Sequence, residues 1–157
     1  MSVRLYRPTA DDLDELAAGL RPADRLELER ETGSTEYRKI VQACVDQSPD
    51  SYAVIDAFGR VVALFGCAPV GALVSSIGAP WCLGTDQLDR QSRALMRISR
   101  RYIQNWRRTY PSLINFVDAE NDLSIKFLAA LGFHFDDPAP HGVKGMPFRR
   151  FYAEGLS

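Results

Sequence analysis

The stretch from Leu113 to Phe133, Leu-Ile-Asn-Phe-Val-Asp-Ala-Glu-Asn-Asp-Leu-Ser-Ile-Lys-Phe-Leu-Ala-Ala-Leu-Gly-Phe, constrains the fold more than any other part of the chain. Leu113 to Val117 is rich in strand-forming residues, and a cluster of Asp, Glu and Asn follows it. A short helical pattern from about Asp122 to Leu131 stops at Gly132, and Phe133 restarts an apolar run. The unit reads as strand, helix, strand.

Upstream, Ser2 to Tyr6 reads as a short strand. Thr9 can cap a helix whose first turn carries Asp11 and Asp12, suited to the positive end of its dipole. Arg21-Pro22 ends that helix near Leu20, and Pro22 opens a second, acidic helix that closes at Gly33. Tyr37, Ile40, Val41, Cys44 and Val45 follow helical spacing, so a third helix buries one face. Tyr52–Asp56 and Val61–Ala68 are strands joined by a turn at Ala57–Arg60, where Gly59 supplies the bend. Pro69–Ser76 reads as a loop or bent edge, and Ala79–Gly84 as a short strand. Thr85 or Asp86 caps a long helix to about Thr109. Asp137–Gly142 reads as a loop and Met146–Tyr152 as the last strand.

The chain has 157 residues, 46% of them hydrophobic and 25% charged, which predicts one soluble globular domain over residues 1–157. No apolar run approaches a membrane span and no leader pattern opens the chain. Cys44, Cys67 and Cys82 have no paired spacing, which favours reduced thiols and a cytoplasmic setting. His134 and His141 lie far from any cysteine pair, so no metal site is expected.

Charge is unevenly distributed. Residues 1–89 carry 8 basic and 14 acidic side chains, whereas residues 90–108 carry seven arginines and no acid. At 100° per residue, Arg90, Arg93, Arg97, Arg100, Arg101, Arg107 and Arg108 cover about a third of the helix circumference. Leu88, Leu95, Met96, Ile98, Tyr102, Ile103 and Trp106 take the other side. Three readings of the stripe stand open: a solvated face paired with the acids of residues 11–36, a docking surface for an acidic protein, or a contact for nucleic acid. The absence of a groove-reading motif and the acidic remainder of the chain favour docking over nucleic acid.

The order of elements, and above all the segment from Asn115 to Phe135 with its Gly132-Phe133, resembles the GNAT N-acetyltransferases. The resemblance implies an α/β (α+β) GNAT-like acyl-CoA N-acyltransferase fold: a central mixed, mostly antiparallel sheet flanked by helices. It also implies acetyl-CoA chemistry, which the sequence supplies poorly. The family's glycine-rich pyrophosphate loop matches Gly84-Thr-Asp-Gln-Leu-Asp89, which has one glycine and two aspartates where phosphates should sit. The family's acid tyrosine has no counterpart in Asn121 to Phe133, where Phe127 is the aromatic residue present. Asn121 and Leu83 are the residues the resemblance offers as cofactor contacts; Asn121 is equally a helix cap. Asp118 and Glu120 are candidate bases for an amine.

More narrowly, Leu20–Asp24, Gly59–Gly66, Pro80–Leu83 and Val117–Asn121 resemble a group of short GNAT-like phage proteins encoded among virion and tail genes. That resemblance implies a catalytically degenerate module of the host cytoplasm, incorporated in the virion or used in assembly. Its partners would be other virion or assembly proteins or further copies of itself, met through the seven arginines, with no cofactor and no membrane. The competing expectation is an active acyl-CoA-dependent N-acetyltransferase with an atypical pyrophosphate loop. Its acetyl-CoA would enter a splay near Trp81–Leu83 and Phe116–Asp118. A weaker alternative is a protein associated with nucleic acid through the arginine helix.

Overall fold

The computed structural model describes residues 2–71 and 76–156. Of the loop expected over Pro69–Ser76, residues 72–75 therefore lie outside the described residues. The elements run β1 (Arg4–Tyr6), α1 (Ala10–Gly19), α2 (Pro22–Thr32), α3 (Tyr37–Asp46), β2 (Asp50–Ile55), β3 (Val61–Pro69) and β4 (Ile77–Gly84). A 3-10 helix (Asp86–Gln91) leads into α4 (Ser92–Thr109), β5 (Ser112–Asp118), α5 (Asp122–Ala130), β6 (His134–Phe135), β7 (Ala139–His141) and β8 (Met146–Glu154).

The strands form one sheet in the order β1-β2-β3-β4-β5-β8-β6, with β7 also paired to β8. Among the described residues β4 and β5 run parallel and the other pairs are antiparallel. Alternation along the strands sends Ala53, Ile55 and Leu83 toward α1–α3, where they meet Leu13, Leu16, Leu28 and Val41. The opposite alternates, Val54, Val62 and Phe65, pack with Leu95, Ile103 and Trp106 of α4. Burial on both faces explains why β3 reads as a continuous apolar run rather than an alternating one. Among the described residues no helix is long and apolar enough to cross a membrane.

Local signals hold where chemistry is specific. Thr9 and Asp12 form a reciprocal capping box at the start of α1, and Gly33 closes α2 in the left-handed conformation at φ 74°. Gly142, at φ 77°, lets the β7–β8 turn lie against α2: an added Cβ would sit 2.8 Å from the Glu31 backbone.

The structure corrects three expectations. The helix expected from Thr85 to Thr109 is divided, so Arg90 sits in the 3-10 helix and outside the α4 stripe. The tighter turn brings Leu88 over Gly84, where a Cβ would lie 2.4 Å from Leu88 Cδ1, and turns Gln91 inward. Met96, expected opposite the arginines, is half-buried beside them. Finally, the Asp137–Gly142 loop contains β7, a three-residue edge strand with Pro140 opposite Pro147. Its prolines hid it, since they signal a loop yet are tolerated at a sheet edge.

Asp24 joins two layers of this fold. Its carboxylate takes Arg21 in a two-pronged bond at 3.0 and 3.1 Å and also accepts from the Gly84 N–H at 2.8 Å. Asp24→Ala should lower the unfolding free energy by about 3 kcal/mol, because it strands a guanidinium and a peptide N–H in a buried site. Equilibrium urea denaturation of the two proteins measures this.

Candidate functional site

The parallel ladder between β4 and β5 is short. It holds only Ile77 opposite Ser112 and Gly78 opposite Leu113. The next β4 residue directed toward β5 is Pro80, which has no N–H to continue the ladder. Its carbonyl instead accepts from the Asn115 side-chain amide at 2.9 Å. Beyond that bond the strands separate, leaving a V-shaped gap in the middle of the sheet.

Helix α2 spans the open end of the V. On the β4 side, the Arg21 N–H donates to the Gly84 carbonyl at 3.0 Å, beside the Asp24 bond to the Gly84 N–H. On the β5 side, Glu27 Oε1 accepts from the Asp118 N–H at 2.8 Å. Arg30 completes the bridge, with Nη1 at 3.0 Å from Asp118 Oδ2 and 2.5 Å from Glu120 Oε2. The inward face of α2 therefore carries Asp24, Glu27, Leu28 and Glu31, helical spacing with acids where apolar residues would be expected.

A cavity of about 490 Å³ passes through the gap from one side of the sheet to the other. Its α4–α5 side is largely apolar, walled by Leu95, Ile103, Phe127, Leu128 and Phe133, with Ser92, Ser99 and Ser124 among them. Its α2–α3 side holds Glu27, Glu31, Cys44, Ser48 and Trp81, with the Trp81 indole N–H donating to Ser48 Oγ at 2.7 Å. Beside this end, His141 stacks on Phe116 at 3.9 Å between ring centroids and meets Glu31 at 3.4 Å.

Glu27 is the residue that sequence reasoning missed. Burial against the cavity wall pushes its pKa from 4.5 to about 7, and the negative charges of Asp24 and Glu31 add to the rise. The Asp118 N–H and the Asn121 amide pull the other way without offsetting burial. The signal available in the sequence was the row of acids at 24, 27 and 31 in a helix with almost no apolar face. Asp118 and Glu120, the bases expected from sequence, are both engaged by Arg30. Cys44 and Cys82 also line the cavity; burial raises the half-buried Cys44 thiol to about 11, so it stays protonated, while Cys82 is exposed.

Asn121 sits at the N-cap of α5, where Oδ1 accepts from the Ser124 N–H at 3.3 Å and Nδ2 faces Glu27 at 3.5 Å. Leu83 lines the cavity from β4. No tyrosine is among the lining residues: Tyr102 packs with Tyr52, Phe65 and Trp106, and Tyr110 covers Gly78. The cavity's hydroxyls come from Ser48, Ser92, Ser99 and Ser124.

The segment that should hold a pyrophosphate is already bonded to the protein. Gly84 N–H goes to Asp24, Thr85 N–H to the Val62 carbonyl at 3.0 Å, and Leu88 N–H to the Thr85 carbonyl at 3.0 Å. Gln87 N–H goes to Thr85 Oγ1 at 3.2 Å, while Asp86 and Asp89 flank the turn. Four of the five peptide donors from Gly84 to Leu88 are thus taken, so the donor set does not fit a diphosphate.

The seven arginines of residues 90–108 have no acidic partner among the described residues. Arg107 donates to the Glu154 carbonyl at 2.6 Å and Arg108 to Asn105 at 3.3 Å. The acids of residues 11–36 pair elsewhere, Asp14 with Arg38, Glu29 with Lys144 and Glu36 with Lys39. Pairing of the stripe with those acids, one of the three readings left open above, does not occur among the described residues. Nor do the described residues include a cluster of His, Cys, Asp and Glu able to hold a metal.

No protein-family model matches the sequence, and comparison with curated proteins finds no relative. Solved structures do resemble it in three dimensions. A GNAT-family acetyltransferase from Bacillus anthracis superimposes with a TM-score of 0.70 at 10% identity, covering 98% of this chain and 95% of that one. A GNAT superfamily phosphinothricin acetyltransferase from Sinorhizobium meliloti, in complex with AcCoA, gives 0.68 at 12% identity over 99% and 90%. Spermidine N-acetyltransferase from Vibrio cholerae, in complex with CoA and spermine, gives 0.67 at 12% over 97% and 95%. The mixed, mostly antiparallel sheet and its flanking helices are those of the GNAT acyltransferase fold.

Proposed function

We propose that this protein transfers an acyl group from a pantetheine thioester, acetyl-CoA in the simplest case, to an amine. The observation that carries the reading is Glu27, a carboxylate raised to about 7 that opens into a cavity crossing the sheet where β4 and β5 part. A base with that pKa takes a proton from an ammonium group near neutral pH more effectively than an ordinary carboxylate does.

The two ends of the cavity suit the two substrates. The apolar α4–α5 end accommodates an uncharged pantetheine arm. The α2–α3 end places Glu27 and Glu31 toward an incoming cation. Glu27 removes one ammonium proton, the amine nitrogen attacks the thioester carbon, the new C–N bond forms, the C–S bond breaks, and the second proton lost from the nitrogen ends on the departing thiolate. Gly84 and Pro80 direct their peptide groups toward the gap, so by alternation the Cys82 N–H faces it as well and can bond the carbonyl oxygen as it gains charge. The departing group is a thiolate, a far better leaving group than an alkoxide, and can leave without a tyrosine. Cys44, kept as a neutral thiol, is a poor nucleophile, which favours direct transfer over an acyl-cysteine intermediate at that position.

A second reading is a non-catalytic docking module, carried in a phage particle or used in its assembly. The engaged pyrophosphate turn and the unpaired arginines favour it. It is separated from the first by whether thioester turnover depends on Glu27.

Glu27→Gln should reduce thiol release from acetyl-CoA, assayed at millimolar donor with a panel of primary amines, by about 10²-fold or more. The wild-type rate should rise through a pKa near 7, and the variant should lose that inflection. An unchanged rate and profile would remove Glu27 from the chemistry.

The same substitution has a stability signature. Glu27 binds its proton more tightly in the folded state than in the unfolded one, so its contribution to stability is present below about 4.5 and lost as pH rises through about 7. Glu27→Gln should flatten the fall in urea midpoint over that interval relative to the wild type.

A further inference from the structure

A groove of about 770 Å³ runs between α4 and α5, with Arg93, Arg97, Arg100 and Arg101 along it and Met96 and Phe127 within it. It meets the cavity through the sheet at Ser92 and Phe127, which line both. The four arginines are exposed, and none forms an ion pair or hydrogen bond among the described residues. From Arg93 to Arg101 the helix rises about 12 Å, so these cations form a row rather than a point. Crowded like charges with no internal counter-charge favour an anionic partner from outside, and arginine's planar fork suits carboxylates or phosphates.

Two features bear on what that partner is. The cavity behind the groove fits a pantetheine arm, but the turn at its mouth offers no free set of peptide donors for a diphosphate and presents Asp86 and Asp89. A thioester carried on a protein solves both problems. Its phosphopantetheine arm has a single phosphodiester, and the negative charge that meets the arginines belongs to the carrier's surface. Nucleic acid would match the arginines but leave the adjoining cavity without a use, and the acidic segment 1–89 would oppose it.

We infer that the acyl donor is an acidic carrier protein. Its acidic face lies along Arg93, Arg97, Arg100 and Arg101, and its acylated phosphopantetheine arm enters past Ser92 and Phe127. The inference rests on the acyl-transfer reading above. In the step, the carrier's C–S bond breaks and the amide C–N bond forms; of the two protons the nitrogen gives up, one passes through Glu27 to solvent and the other ends on the departing thiolate, leaving the carrier with a free thiol.

The test uses the full chain and, as probe, an acetylated holo acyl carrier protein of bacterial fatty-acid synthesis, with its apo form and acetyl-CoA as comparators. Titration calorimetry at 50 mM salt should give micromolar binding of the holo carrier, about tenfold tighter than acetyl-CoA and than the apo carrier. Raising salt to 0.5 M, or introducing Arg97→Glu with Arg101→Glu, should weaken carrier binding by about tenfold or more. Arg97→Lys with Arg101→Lys should retain most of it, and thermal melts check that both variants are folded.

Tighter binding of acetyl-CoA than of the carrier overturns the inference. So does carrier binding indifferent to charge reversal or to the arm, or displacement of the carrier by an oligonucleotide that binds more tightly. Failure of the acyl-transfer reading looks different: the holo carrier binds as described, yet its acetyl group is neither transferred nor released in a Glu27-dependent way.

Discussion

Much of this structure depends on how the protein holds open a sheet that hydrogen bonding would otherwise close. Pro80 ends the β4–β5 ladder after two residue pairs, and the resulting gap has peptide groups along both edges. Helix α2 meets them. Asp24 and the Arg21 backbone hold the last residue of β4, while Glu27 and Arg30 hold the last residue of β5. The bonds made by the Asp24 and Arg30 side chains are charge-assisted, stronger than the neutral ladder bonds they replace. They also fix the width of the gap, and with it the cavity that crosses the sheet.

The same helix divides the electrostatics of the molecule. Its inward acids lie on the α2–α3 side of the gap, and the unpaired arginines of α4 lie on the other. Since the chain's net charge is only −1, this separation is a matter of arrangement and not of excess. The two mouths of one cavity thus present opposite fields to solvent, cation-attracting at one end and anion-attracting at the other.

What could be read from the sequence followed from local rules. The segment from Leu113 to Phe135 announced β5, α5 and β6 because a strand pattern, an Asn cap and a terminating glycine each act within a few residues. Thr9, Pro22 and Gly33 marked helix ends for the same reason. The break at Gln91 was not legible, since residues 86–109 keep a helical spacing and only packing of Leu88 over Gly84 distinguishes the tighter turn. Glu27 was hidden for another reason: its pKa is raised by burial in the folded protein and by Asp24 and Glu31, against the opposing bonds of Asp118 and Asn121, which lie some 90 residues away in sequence. The acidic turn after β4 was visible as chemistry, but only the structure gives the hydrogen bonds that occupy its peptide donors.

Glu27 is both a clasp and a titrating group, and these two properties cannot vary independently. A carboxylate accepts stronger hydrogen bonds than a neutral carboxyl group does. A proton arriving on Glu27, whatever its source, therefore weakens its hold on the Asp118 N–H and on the Asn121 amide. Arg30 and the Asp24 anchor remain, so the helix stays attached while one end of its bridge slackens. Proton occupancy at this single side chain thereby sets the strength with which α2 holds the end of β5.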